Sequence, residues 1–197
     1  MDVSHEQATV LVNQVQRSHR LLAGFYQRIL PSLDDISANF GAHFWYWSPI
    51  AFDRPCMGST KPSRKWGWDY LPLVASQFLY VRSDTTDPVF IELRLHTDPA
   101  ILPGQRSPKG EPAPANLPDA EPALRIYLYW LVPGSSVDIK SEWEEVEHPG
   151  GEADSVSRLS ENLWGTWMDI PLANHIVAPQ ETIARISKHI SLPTSVS

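Results

Sequence analysis

One cysteine, Cys56, stands among 197 residues. A lone cysteine excludes an internal disulfide framework and fits a reducing compartment. Long apolar runs are missing as well: no stretch approaches the ~20 apolar residues that a membrane span needs. The opening residues, Met1-Asp2-Val3-Ser4-His5-Glu6, have neither the basic start nor the apolar core of a secretory signal. A cytoplasmic protein with no membrane partner is the expectation. Basic residues are in the minority, 16 Lys and Arg against 23 Asp and Glu, for a net charge of −7. That balance disfavours a general nucleic-acid binder.

The marked catalytic motifs are lacking too. The chain has no G-x-G-x-x-G, P-loop, H-E-x-x-H, G-x-S-x-G or paired C-x-x-C. Their absence removes the best-marked enzyme classes and leaves catalysis itself undecided. His43, His96, His148 and His175 lie far apart, so no local spacing supports a metal site, and no cofactor is expected. Cys56 has Arg54 two residues away, and a cation favours the thiolate, but no histidine stands beside it. An inert thiol is the expectation.

Tryptophan, by contrast, is plentiful. Six of the eight Trp form close pairs: Trp45 with Trp47, Trp66 with Trp68, and Trp164 with Trp167. Indole rings carry a polar N–H and favour half-buried walls and interfaces. The first two pairs bracket Arg54, Lys61, Arg64 and Lys65. Acid is concentrated elsewhere. From Asp138 to Asp154 seven acids accompany one base, Lys140, a local charge of −6 out of the total −7.

Along the chain, Ser4-His5-Glu6-Gln7 has the form of a capping box. Leu11, Val15, Ser18, Leu22, Phe25 and Ile29 then recur at spacings of four and three, the stripe of a long helix. Pro31 is expected to end or kink it near Leu30. His43 to Trp47, Phe78 to Arg82, Val89 to His96, Leu124 to Val132 and Leu163 to Asp169 read as strands. In the second of the aliphatic runs, Val89, Ile91, Leu93 and Leu95 share one face, and Phe90, Glu92, Arg94 and His96 the other. That pattern predicts a half-buried strand with a solvated polar face. The acidic segment around Trp143 is expected to be a strand or the rim of a hairpin. Pro179 opens a last helix striped by Ile183, Ile186 and Ile190.

Strands follow one another without intervening helices. Residues 1–197 are therefore expected to form a single α+β domain, with a mostly antiparallel sheet packed against a long N-terminal helix and a shorter C-terminal one. Residues 98–122 contain seven prolines and no aliphatic periodicity. They predict a mobile surface loop between two adjacent strands, open to cleavage near Arg106 or Lys109.

Two functions follow. The leading one is a non-enzymatic interaction module of inhibitor, immunity or adaptor type. Glu142, Trp143, Glu144, Glu145 and Glu147 would meet a protein partner with a basic surface, the ring as anchor and the acids steering the encounter. The alternative is a small-molecule-binding protein or enzyme. Its pocket would be walled by Trp45, Trp66 and Trp68 and equipped with Glu92, Arg94 and His96, a carboxylate, a guanidinium and an imidazole suited to acid–base work or anion binding. Arg64-Lys65-Trp66-Gly67-Trp68 interleaves bases with rings in the manner of a single-strand platform, a reading that the net negative charge opposes.

Overall fold

A helix leaves four backbone N–H groups unpaired at its start, and the capping box at Ser4 supplies partners for them. In the computed structural model, which describes residues 4–52, 58–83, 86–102 and 110–190, Gln7 N donates to Ser4 Oγ at 3.2 Å. Ser4 N donates to the Gln7 side chain at 2.9 Å. Helix α1 runs from His5 to Ala38 and passes through Pro31 rather than stopping before it. Proline in a helix interior costs about 3 kcal/mol. Ile29, Leu33 and Ile36 on either side of it are buried, at roughly 1.5–3 kcal/mol each, so burial outweighs the lost hydrogen bond. The stripe is not buried along its whole length. Leu11 and Val15 are exposed, Leu22 and Phe25 half-buried, and burial is complete only from Ile29 onward. Gly41, at φ 66°, closes the helix with its N–H on the Ala38 carbonyl, the left-handed cap that glycine adopts without steric cost.

The chain divides into two compact units, Met1–Asp35 and Ile36–Ser197. The second holds a six-stranded sheet, with strands β1 (His43–Pro49), β2 (Ala75–Arg82), β3 (Val89–His96), β4 (Ala123–Leu131), β5 (Ser157–Arg158) and β6 (Leu163–Pro171). Their order is β1-β2-β3-β4-β6-β5, and every pairing is antiparallel. The α+β architecture expected from the sequence is present: this sheet, the long N-terminal helix and a shorter C-terminal helix, α4 (Pro179–Ser187). Two short helices were not foreseen, α2 (Ile139–Glu144) and α3 (Leu172–Val177).

The acidic segment is thus a helix and not a strand. Asp138 caps it, its carboxylate accepting from Ser141 N at 3.1 Å. This helix explains a second departure. β3 has no solvated face: Phe90 and Glu92 are 0% exposed, His96 is 6% exposed, and Arg94 alone is half-buried. Ile139, Trp143, Val146 and Leu159 pack over Leu79, Phe90, Tyr127 and Tyr129 on that side of the sheet, and a sheet covered on both faces loses the alternation of a one-sided one.

Gly165 of β6 lets this cover approach. A Cβ there would lie 2.7 Å from Leu159 Cδ1 and 2.8 Å from Pro149 Cγ. The Pro-rich stretch is likewise less open than its composition implies. Ala100 and Ile101 are buried. Glu111 accepts from Gly67 N at 2.6 Å, and the Pro112 carbonyl accepts from Trp68 Nε1 at 2.8 Å. Arg106 and Lys109, with Arg54 and Cys56, lie outside the described residues.

Candidate functional site

β3 carries Glu92 and Arg94 two residues apart, which puts both on one side of the sheet. The segment after α2 brings His148 onto them. Arg94 Nε donates to Glu92 Oε1 at 2.6 Å, and His148 Nε2 lies 3.1 Å from Glu92 Oε2 and 2.6 Å from an Arg94 terminal nitrogen. Burial pushes the Glu92 carboxyl up, but the His148 hydrogen bond and the Arg94 charge outweigh it and hold the group below its usual range. Tyr127 walls the cluster, with the Arg94 guanidinium 5.0 Å from its ring centre and the His148 ring 4.7 Å away. Glu92 is fully enclosed while the His148 side chain is 41% exposed. Both carboxylate oxygens are taken up by these partners, so the arrangement fixes the 145–149 segment to the sheet.

His96 sits at the far end of β3, opposite Ala75 of β2. Burial, with the charges of Arg125 and Arg94, lowers its pKa to about 4, so it is neutral near pH 7. Its Nε2 and the Trp167 Nε1 have no hydrogen-bond partner among the described residues. Next to them, Arg125 grips Asp169 with two hydrogen bonds of 2.7 and 2.6 Å and stacks over Trp167 at 4.8 Å.

The three tryptophans of the expected pocket separate into two groups. Trp66 and Trp68 gather around Phe52, Trp68 stacked on it at 5.5 Å. This cluster includes Val74, Ala75 and Ile101. Beside it, Arg64, Lys65, Trp66, Phe52 and Asp69 line an open cavity of about 510 Å³. Trp45 lies elsewhere, edge-on to Phe90 at 5.8 Å and to Trp143 at 6.1 Å. The structure therefore joins Glu92 to Arg94 but assigns Trp45, the Trp66–Trp68 pair and His96 to different surroundings.

The acidic residues also divide. Trp143 is half-buried, stacked on Phe90 with ring centres 4.6 Å apart and planes at 18°, and it hydrogen bonds Tyr129. It is a prop under the helix rather than a projecting anchor. Glu142 accepts from Ser160 Oγ at 2.7 Å and Asn162 Nδ2 at 3.1 Å. Glu144, Glu145 and Glu147 are exposed, and no ion pair engages them among the described residues. The exposed rings nearby belong to β1, where Trp45 is 37% and Tyr46 46% exposed. A bulge between Phe44 and Tyr46 interrupts the register with β2 and turns Trp45 toward Phe90 and Trp143.

The roles of His148, Tyr127, Arg125 and Asp169 were not foreseen. His148 is 56 positions from Glu92, and only strand order and the α2 fold bring the two together. Among the described residues no group of three or more His, Cys, Asp or Glu could hold a metal ion, and no helix is long and apolar enough to cross a membrane.

Comparison with known proteins returns no match among the curated proteins and none among the solved structures. A family model described as PM0109 matches residues 5–188, from the first turn of α1 to the end of α4. The chain belongs to the PM0109 family.

Proposed function

We propose that this protein is a non-catalytic binding module for a protein partner with a basic surface. The contact surface is the outer side of α2 and the residues after it, Glu144, Glu145 and Glu147, together with Trp45 and Tyr46 of β1. One observation carries the reading: an acidic ridge, Glu144, Glu145 and Glu147, exposed and without an ion pair among the described residues, lies beside exposed aromatic rings. The ridge is anchored by Trp143 on Phe90 and by His148 on Glu92. Arg185 secures its far end through Asp154. Charges held in place lose little conformational entropy on binding and steer a basic partner toward the ridge. The aromatic rings add contact area at the centre of such an interface. A reducing, cytoplasmic setting suits the lone cysteine.

Immobilised wild-type protein should capture a defined partner from native cell extract at low salt and release it at high salt. The variant Glu144→Lys/Glu145→Lys/Glu147→Lys should fail to capture it, and Tyr46→Ala should capture it weakly. Both should fold, because all four side chains are exposed. If both variants retain what the wild type retains, the partner does not use this surface.

A further inference from the structure

The exposed stretch of α1 belongs to no contact described so far. Between His5 and Arg28 it is about 36 Å of helix at 1.5 Å per residue, and apolar side chains stand exposed along it, Val12 at 66% and Leu21 at 74% among them. Leu11 is 58% and Val15 46% exposed, and Leu22 and Phe25 are half-buried. Stripes of this length on soluble proteins mark interaction surfaces.

We infer that this stripe is the self-association seam of the protein: two copies pair through α1 as an antiparallel coiled coil. Its occupant can be read from the stripe itself. Ala8, Leu11, Val15, Ser18, Leu22 and Phe25 alternate at spacings of three and four, the core positions of a heptad repeat. A two-fold axis between Gln16 and Arg17 sets Ala8 against Phe25, Leu11 against Leu22 and Val15 against Ser18. Each layer then joins a small side chain to a larger one or two of equal size, as close packing requires. A parallel pair would instead oppose Phe25 to Phe25, Ala8 to Ala8 and Ser18 to Ser18, crowding one layer and leaving two underfilled. Glu6, Arg17 and Arg20 fall at outer positions of the repeat, so the seam buries none of these charges. A surface complementary to itself under a two-fold axis closes as a dimer and does not propagate.

Sedimentation equilibrium of the full chain over a concentration series tests this. The expected result is a mass of two chains at high concentration that falls to one chain on dilution. Leu11→Glu/Val15→Glu should sediment as a monomer, with the near-ultraviolet circular dichroism of the sheet unit unchanged. Leu11→Ala, which preserves helix propensity, should raise the dimer Kd by about tenfold or more. In a Cys56→Ser background, Leu11→Cys protein mixed with Leu22→Cys protein should form a mixed disulfide dimer in preference to either self-pair. The proposal is overturned if the wild type is monomeric throughout, leaving the stripe to a different occupant. It is equally overturned if the double-Glu variant remains dimeric, or if Leu11→Cys couples to itself rather than to Leu22→Cys.

Discussion

Glu92 is a buried carboxylate kept ionised by its neighbours. Arg94 and His148 hold its pKa below the ordinary carboxylate value, so its ionised form stabilises the fold fully above about pH 4.3 and loses that contribution as pH falls further. Glu92→Gln would leave Arg94 without its counter-charge and should cost about 3–5 kcal/mol in urea unfolding at neutral pH. The gap to wild type should narrow below the carboxylate range, where the native side chain also takes up a proton. A gap constant with pH would mean that Glu92 is not ionised in the fold. His96 acts over a different window. Its folded pKa of about 4 lies below the ordinary 6.5, so the unfolded chain binds the proton more readily. Stability is complete above about pH 6.5 and declines toward pH 4, by about 3 kcal/mol in all. His96→Gln should flatten the pH dependence of unfolding by up to one proton across that window, and an unchanged slope would place the imidazole in water.

At the scale of elements, covering matters more than pattern. β3 was legible as a strand to the residue, from Val89 to His96. Its polar face was not legible as buried, because nothing within the strand announces that α2 and the segment after it lie on top. Asp138 caps α2 by accepting from Ser141 N, a signal that the sequence reading did not use. A helix of six residues, however, shows too little periodicity to separate from a hairpin rim. α1 gave the reverse case: its stripe was clear, yet periodicity cannot say how much of a stripe is covered, and Pro31 misplaced its end. Gly165 marks where the cover touches the sheet. Gly165→Ala should destabilise by about 1–3 kcal/mol, the range for overpacking a filled site, because Pro149 and Leu159 stand under 3 Å from the added methyl. An unaffected melting temperature would show that the 149–159 segment yields freely.

For the whole molecule, net charge is concentrated in one segment, and exposed apolar side chains stand both beside it and along α1. The acids of 138–154 account for nearly all of the net −7, and α2 within that segment packs over the sheet through Ile139 and Trp143. The sequence located this acidity but assigned the anchor to Trp143. In the fold Trp143 faces Phe90, and Trp45 and Tyr46 are among the exposed rings, which only the pairing of β1 with β2 brings alongside. The most direct test of the binding reading is the association rate with the captured partner as a function of ionic strength. Wild-type association should be fast and should slow steeply with salt. Association of Glu144→Lys/Glu145→Lys/Glu147→Lys should be slow already at low salt and should not slow further as salt is added. An association rate unchanged by both salt and charge reversal would contradict the account.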